Sequence, residues 1–128
     1  MSLQQSCPCG TGATYDACCG RLHRGAAQAE TAEELMRSRY SAYAVGHVDH
    51  LFRTWHPRTR PEDLSPQPLH WTGLEIVDIV AGGRGDDTGV VELEAHYLDP
   101  DGRAHTLHER SRFERRGGRW VYVAAEPD

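Results

Sequence analysis

The apolar residues between positions 31 and 46 recur every three or four residues, which predicts a helix with one apolar face. That face consists of Ala32, Leu35, Met36, Tyr40 and Tyr43. Thr31 is the predicted N-cap, with Glu34 three residues later to complete a capping box, and Gly46 ends the helix. A second, short helix is predicted over residues 47–54.

The period of the apolar residues changes to two after a proline-rich segment. Residues 57–68 hold four of the seven prolines and are predicted to be irregular. The alternation beyond them predicts strands over residues 70–80, 90–98, 104–115 and 119–125. Because the three connections between these strands are short, the strands are expected to form an antiparallel meander. Helices followed by hairpin-linked strands indicate an α+β fold in which the helices cover one face of the sheet.

All the cysteines of the chain lie within thirteen residues near its start; they are Cys7, Cys9, Cys18 and Cys19. Two pairs brought together by a loop present four thiolates to one tetrahedral ion, and sulfur ligands favour Zn²⁺. Such a closed site leaves no position for water, so the zinc is expected to be structural. A redox pair or free surface thiols are the alternatives. Arg21 and Arg24 can offset the negative charge of the site, and His23 is a spare ligand.

The segment around these cysteines resembles the SEC-C motif, a small zinc module found at the C-terminus of the SecA translocase ATPase and elsewhere. The resemblance is carried by Cys7-Pro8-Cys9-Gly10-Thr11-Gly12, Tyr15 and Cys18-Cys19-Gly20. Many members have a histidine as the last ligand, where this chain has Cys19. The resemblance implies that the module contacts a protein or a ribosomal surface.

A longer resemblance, to the bacterial YchJ family, runs nearly the length of the chain. It is carried by residues 31–43, 54–57, 108–113 and 118–122. That family joins a SEC-C-like N-terminus to a nuclear-transport-factor-2-like (NTF2-like) domain, a cone in which a curved antiparallel sheet packs on helices. The resemblance therefore implies a SEC-C-like zinc module over residues 1–25 and an NTF2-like α+β domain over residues 30–126.

Two charged residues fall on faces that are otherwise apolar. Arg39 lies within the apolar arc of the first predicted helix, and Glu109 shares a strand face with Leu107 and Phe113. Because an unpaired buried charge costs several kcal/mol, about 3–5 kcal/mol when one partner is removed, we predict a bidentate pair between Arg39 and Glu109. The pair either fixes how helix and sheet pack or belongs to a pocket for a small anion or for acid/base chemistry. The candidate pocket consists of Arg39, Tyr40, Tyr43, Trp55, His56, Glu109 and Ser111.

The charge composition narrows the function classes. The chain has 14 arginines and no lysine, against 19 acidic residues, for a net charge of −5. The absence of lysine excludes Schiff-base and P-loop lysine chemistry, and the net negative charge argues against wholesale coating of nucleic acid. Six arginines between Arg103 and Arg119, together with His108, are compatible with a basic patch for RNA or an acidic protein; a solvated strand face is the alternative.

These features favour a zinc-stabilised binding or adaptor protein over an enzyme, with the zinc module contacting a protein or ribosomal surface. The alternative is a small-molecule binder, or an enzyme of isomerase or dehydratase type, that uses the pocket around Arg39 and Glu109. A homodimer is compatible with either, through Val77 and Ile79 or through Val121 and Val123. No apolar run reaches membrane-span length, and residues 1–5 lack a secretion signal, so we expect a cytoplasmic protein without membrane contact.

Overall fold

The computed structural model describes residues 5–64 and 69–127. Its elements are α1 (Cys19–His23), α2 (Ala32–Val45), α3 (Val48–Arg53), β1 (His70–Ala81), β2 (Thr88–Leu98), β3 (Ala104–Arg116) and β4 (Arg119–Ala125). The strands form one antiparallel sheet in the order β1-β2-β3-β4. The predicted α+β class and meander are therefore confirmed, whereas α1 has no counterpart among the predicted elements. Residues 57–64 are irregular as predicted, and residues 65–68 of that predicted loop lie outside the described residues.

Helix α2 begins and ends at the residues that its capping signals predict. Thr31 has extended backbone angles, and its hydroxyl accepts a hydrogen bond of 3.1 Å from the backbone N–H of Glu34. The Glu34 carboxylate accepts from the backbone N–H of Glu30 at 2.7 Å, so the return bond of the capping box reaches one residue before the cap. Gly46 ends the helix in the left-handed region, with φ of 77°, where glycine carries no steric penalty.

The start of α2 lies directly on the turn between β1 and β2. The backbone N–H of Ala32 donates to the carbonyl of Gly82 at 2.9 Å. A Cβ atom on Gly82 would lie 2.8 Å from Cβ of Ala32, and one on Gly89 would lie 2.5 Å from Cα of Gly82. Because real Cβ atoms do not approach backbone this closely, glycine is required at both positions.

The hydrophobic core lies between α2 and one face of the sheet. It consists of Ala32, Leu35, Met36, Tyr40, Val91, Leu93, Ala95, Phe113 and Trp120. Val77 and Ile79 of the first predicted dimer face are exposed, but a bulge at Val77 pairs Ile79 with the core residue Val91, on the inner face of the sheet. Val121 is only 7% exposed, so the second predicted dimer face is wrong for that residue. A homodimer through Val77 and Ile79 stays a prediction. No helix within the described ranges is long and apolar enough to cross a membrane.

The outward side of β3 carries ion pairs that reduce its basic character. Arg110 contacts three carboxylates, those of Glu92 at 2.8 Å and of Asp78 and Glu126 at 3.3 Å each. His108 lies 2.5 Å from Glu92. This part of the predicted basic patch is therefore largely neutralised, which favours a solvated strand face over a nucleic-acid surface.

Candidate functional site

The four cysteines meet in a small N-terminal unit, the knuckle, which we define as residues 5–23. Its first part is a hairpin in which Cys7 and Ala13 are hydrogen-bonded through their backbones at 2.8 Å. The turn of this hairpin requires positive φ angles of 86° at Gly10 and 88° at Gly12, which favour glycine. The hairpin presents the first cysteine pair to the second pair, which lies at the start of α1.

The arrangement of the sulfur atoms can hold a metal ion. The Sγ atoms of Cys7, Cys9, Cys18 and Cys19 all lie within 4.8 Å of one another. The Sγ atoms of Cys9 and Cys18 are 3.6 Å apart, and those of Cys18 and Cys19 are 4.0 Å apart. All four cysteines are free, since these separations far exceed a disulfide bond length of about 2.05 Å. Soft thiolate donors in a compact group suit Zn²⁺ or another thiophilic ion.

The protonation states of Cys7 and Cys19 in the cluster depend on each other. The hydrogen bond from Cys19 lowers the pKa of Cys7, and the same hydrogen bond raises the pKa of Cys19. Metal ligation requires thiolates, so an ion bound here would displace the proton that lies between Cys7 and Cys19.

The knuckle is packed against α2 and β1. Cys7, Cys9 and Cys19 are buried and form a cluster with Leu74 of β1. The Sγ atom of Cys7 lies 3.5 Å from the hydroxyl oxygen of Ser41, within hydrogen-bond distance. The cysteine cluster is consequently half enclosed by the larger domain, while the hairpin tip, residues 10–14, is exposed.

The arginine beside the cluster differs from the two that the sequence suggested. Arg21 pairs with Glu34, and Arg24 pairs with Asp16 at 2.8 Å, so that prediction is wrong. Arg37 of α2 instead donates from Nη1 to the backbone carbonyl of Cys9 at 2.7 Å. Arg37 escaped prediction because it is distant in sequence and lies on the polar side of α2.

His23 is not a spare ligand, because both of its ring nitrogens are occupied. Nε2 donates to the backbone carbonyl of Ser38 at 2.8 Å, which leaves Nδ1 to accept from the hydroxyl of Tyr15 at 2.6 Å. Burial lowers the pKa of His23, in keeping with this neutral ring. The histidine therefore joins the knuckle to α2 and takes no part in the sulfur cluster.

A second buried histidine, His50, links α2 to α3. The hydroxyl of Ser38 donates to the carbonyl of Leu35 at 2.7 Å, so it accepts from Nε2 of His50 at 2.9 Å. The ring of His50 lies 4.6 Å from that of His23. Burial, with smaller contributions from neighbouring cations, lowers the pKa of His50 to about 3, so both rings are neutral at physiological pH.

A cavity of about 390 Å³ lies between the helices and the sheet. Its lining includes six of the seven predicted pocket residues, Arg39, Tyr40, Tyr43, Trp55, Glu109 and Ser111. The rest of the lining is mainly apolar and aromatic, with Leu51 from α3, Trp71 from β1 and Tyr97 from β2. The composition, apolar walls with a few polar groups, is that of small-molecule sites.

The predicted bidentate pair between Arg39 and Glu109 does not form. Nη1 of Arg39 donates instead to the carbonyl of Leu51 at 3.2 Å and to the hydroxyl of Thr54 at 2.8 Å. Its guanidinium lies 4.7 Å from the ring centroid of Trp55 and 4.6 Å from that of Tyr122. Two aromatic faces and two oxygen acceptors thus replace the carboxylate as partners of the buried cation. Desolvation lowers the pKa of Arg39 to about 10, so it remains charged at neutral pH.

Glu109 is held by hydroxyl groups. Its Oε2 atom accepts from the hydroxyl of Ser111 at 2.6 Å and from that of Tyr122 at 2.8 Å. Desolvation, and then this hydrogen bond, raises the pKa of Tyr122, so the phenol stays a donor. Tyr122 is the member of this group that sequence reasoning missed. It has the strand parity of the buried Trp120, which is a signal that could have placed it on the inner face.

Trp55 and His56 point to opposite sides of the sheet, and the prediction that His56 belongs to the pocket is wrong. Residues 54–56 run parallel to β4, with a bridge between Trp55 and Tyr122, and successive side chains of an extended segment alternate in direction. The Trp55 ring therefore meets Tyr122, at 5.2 Å between centroids. His56 meets Glu114 instead, at 3.0 Å from Nε2 to the carboxylate.

Comparisons with known proteins agree with this architecture. The family model for the middle NTF2-like domain of YchJ matches residues 31–125, and the SEC-C motif matches residues 5–21. The boundaries 1–25 and 30–126 for the two units stay predictions; residues 1–4 of the first lie outside the described residues.

Solved structures show the same combination of units. The solution structure of a SEC-C motif containing protein from Rhodopseudomonas palustris has a TM-score of 0.84 and 33% identity, covering 95% of this chain and 98% of that one. The crystal structure of a SEC-C motif containing protein from Psychrobacter arcticus has a TM-score of 0.77 and 27% identity, covering 99% of this chain and 84% of that one. The predicted fold, a SEC-C-like unit followed by an NTF2-like domain, is thereby confirmed.

Curated relatives match over nearly the whole chain. A UPF0225 protein of Streptomyces coelicolor is 53% identical over 121 residues, which cover 94% of both chains. A UPF0225 protein of Deinococcus radiodurans is 47% identical over 120 residues, covering 93% of this chain and 87% of the relative. On its sequence, its two units and its fold, this chain belongs to the UPF0225 (YchJ) family.

Proposed function

We propose that this protein is a zinc-stabilised binding protein whose knuckle contacts a protein or ribosomal surface. The observation that carries the zinc assignment is the spacing of the sulfurs. Four thiolates at about 2.3 Å from a tetrahedral ion lie about 3.8 Å apart, and the separations of 3.6 and 4.0 Å in the cluster bracket that value. A cytoplasmic location fits this role, because reducing conditions keep the thiols available as ligands.

Metal analysis of the purified protein tests the zinc assignment. We expect one zinc per chain in the wild type and a loss of zinc in Cys9→Ser, which removes one of the four donors. Ser6→Ala is the matched control, since Ser6 is an exposed residue of the knuckle outside the sulfur cluster, and it should keep its zinc. A wild-type protein with no zinc, or a Cys9→Ser variant with a full complement, would contradict the assignment.

The exposed tip of the knuckle supports the docking role. Residues 10–14 are exposed, while Cys7 behind them contacts Ser41 of α2, so the tip projects from a base that is attached to the larger domain. A groove of about 450 Å³ runs beside it. Its lining includes Thr11, Ala13 and Ala17, together with positively charged arginines and negatively charged glutamates around the start of α2. A mixed-charge groove suits a protein partner better than a nucleic-acid backbone.

Co-sedimentation with purified ribosomes at low salt tests the ribosomal form of this proposal. The wild type should pellet with the ribosomes, and Ala13→Glu at the exposed tip should reduce the pelleted fraction. Ala104→Glu is the matched control, because Ala104 is an exposed alanine at the start of β3. No co-sedimentation at low salt, or equal pelleting of Ala13→Glu and the wild type, would contradict a ribosomal surface as the partner.

The cavity supports a second candidate function, the binding of a small molecule. Its volume of about 390 Å³ lies within the range of about 300–1,000 Å³ that ligand pockets occupy. Native mass spectrometry of protein purified from its own cells should show an additional bound mass. Ala95→Leu, which fills part of the lining, should remove that mass, and retention of the mass by this variant would place the ligand elsewhere.

A further inference from the structure

The carboxylate of Glu109 has one oxygen that a ligand can reach. Its Oε2 atom is held by the hydroxyls of Ser111 and Tyr122, whereas Oε1 accepts no hydrogen bond from a described residue. Among the described residues, the buried side-chain atoms that lack a partner are Nε of Arg21, Nδ1 of His50 and Nε1 of Trp55. Because Oε1 of Glu109 is not one of these buried atoms, it keeps accessible surface.

This free oxygen lies on the cavity side of the sheet. In the pairing of β2 with β3, Glu109 lies opposite Leu93, a core residue that is 3% exposed, so the Glu109 side chain projects from the inner face. Glu109, Leu93 and the two residues that hold Oε2 all line the cavity. Oε1 is therefore an acceptor that a ligand in the cavity can use.

The charge of the carboxylate is already balanced within the cavity. Arg39 also lines the space and contributes a cation that is only 2% exposed. A charged ligand would bring an additional, uncompensated charge into mainly apolar surroundings. A neutral ligand that donates to the carboxylate avoids this cost and gains a charge-assisted hydrogen bond.

The remaining walls suit a flat apolar body. The ring of Trp71 lies 5.8 Å from that of Tyr40, 6.1 Å from that of Tyr43 and 5.1 Å from that of Tyr97. All four rings line the cavity, together with Leu93 and other aliphatic side chains. Aromatic walls of this kind favour stacked or edge-on contact with another ring.

We propose that the cavity binds a small, neutral, ring-bearing molecule whose O–H or N–H group, as in a phenol or an indole, donates a hydrogen bond to Oε1 of Glu109. The inference rests on the second candidate function, because it names the ligand class of that cavity. The hydroxyls of Ser111 and Tyr122 orient the carboxylate, so the position of the ligand's donor is specified as well. The volume of about 390 Å³ limits the ligand to the small end of the usual range.

NMR titration of the full-length, metal-loaded, isotope-labelled protein with p-cresol and with 4-methylanisole tests the proposal. Both probes are neutral and share one ring, but only p-cresol has an O–H group to donate. The wild type should bind p-cresol about tenfold more tightly, the effect of one hydrogen bond to a charged acceptor. Equal affinity for the two probes, or tighter binding of 4-methylanisole, overturns the proposal.

The variant Glu109→Gln tests the same hydrogen bond from the side of the protein. Because Ser111 and Tyr122 donate to one side-chain oxygen, the carbonyl of the new side chain takes that place and its amide NH₂ group replaces Oε1. The oxygen atoms of both probes can accept from this amide, so the preference for p-cresol should be lost. Glu75→Gln makes the same change at an exposed glutamate of β1 that pairs with Glu94, away from the cavity, and should keep the preference. An unchanged preference in Glu109→Gln overturns the proposal.

Two charged analogues separate the ligand class from the cavity's function. The same ring is carried by 4-methylbenzoate, an anion, and by 4-methylbenzylammonium, a cation. Weaker binding of both ions than of p-cresol supports the neutral class, and tighter binding of either ion overturns it while leaving the cavity as a binding site. Binding of no probe by the wild type overturns both the ligand class and the second candidate function.

The indole N–H signals of the wild type report where p-cresol binds. Trp71 lines the cavity, so its signal should move during the titration. The Nε1 atom of Trp120 in the core already donates to the carbonyl of Glu30 at 3.2 Å, so its signal should stay in place. Binding of p-cresol with an unmoved Trp71 signal would place the probe outside the cavity and overturn the proposal.

Discussion

Arg37 and Cys9 are joined by a hydrogen bond of 2.7 Å, from Nη1 of the arginine to the backbone carbonyl of the cysteine, across 28 positions of sequence. The same guanidinium donates through Nε to Glu33 at 2.9 Å, which orients it along α2. The bond therefore holds the first cysteine pair against the helix.

Removal of this bond should loosen the metal site. Arg37→Gln cannot span the same distance to Cys9, so we expect zinc to pass to a chromophoric chelator several-fold faster and the free energy of unfolding to fall by about 1 kcal/mol. Arg112→Gln is the control, because Arg112 is an exposed arginine on β3, and it should change neither quantity. Equal release rates for Arg37→Gln and the wild type would mean that the bond does not support the site.

Arg39 should not tolerate replacement by lysine. A compact ammonium cannot lie between the rings of Trp55 and Tyr122 and also reach both oxygen acceptors. We expect Arg39→Lys to lower the free energy of unfolding by about 2 kcal/mol, through lost cation–π contact and hydrogen bonding. Chemical denaturation measures the change, and Arg112→Lys should lie within about 0.5 kcal/mol of the wild type. An Arg39→Lys variant as stable as the wild type would show that a positive charge alone is sufficient at this position.

Glu109 should contribute less to stability than a member of a buried ion pair. Because its partners are two hydroxyl donors, the amide oxygen of Glu109→Gln can accept the same bonds. We expect the free energy of unfolding to fall by about 1 kcal/mol. A loss of about 3–5 kcal/mol, the cost of breaking a buried salt bridge, would show that Arg39 depends directly on this carboxylate.

The buried neutral histidines make stability fall with acidification. The pKa of His50 is lowered from 6.5 to about 3, so as the pH falls the unfolded chain takes up this proton before the folded chain does. The stability is therefore fully present above about pH 6.5 and is lost as the pH falls toward 3, by about 2 kcal/mol for His50 between pH 7 and pH 5.

Denaturant unfolding at several pH values, with zinc in excess, measures this dependence. His50→Gln should flatten the slope of stability against pH over this range. His70→Gln changes an exposed histidine at the start of β1 and should leave the slope unchanged. Identical slopes for His50→Gln and the wild type would contradict the assignment to His50.

The close approach at the turn between β1 and β2 predicts a sharp difference between two glycines of the same hairpin. Gly89→Ala places a methyl group against the backbone of Gly82, so we expect a loss of about 2 kcal/mol or more in the free energy of unfolding. Gly85→Ala meets nothing within 4 Å and should be close to neutral. Equal thermal shifts of the two variants would contradict the tight contact of α2 with this turn.

The sequence predicted the elements that depend on local chemistry. The bounds of α2 follow from the Thr31 cap and from Gly46, and the strands follow from alternation, so both agree with the structure to within a residue or two. The burial of Arg39 also follows from its place in the apolar arc of α2.

The details of the site depend on contacts that no local pattern encodes. The partner of Arg39 was predicted on the rule that a buried charge needs a charge, but two aromatic rings and two oxygen atoms meet that need. The position of His56 was predicted wrongly because residues 54–56 pair with the edge of β4. The alternation of side-chain directions in this segment becomes visible only once that pairing is known.

Helix α2 is a common wall of the two sites. One side carries Arg37 and Ser41, which face the cysteine cluster, while another carries Arg39 and Tyr43, which face the cavity. A change that separates the cysteine cluster from α2 would also move one wall of the cavity. The cysteine cluster and the cavity are thus mechanically connected through a single helix of fourteen residues.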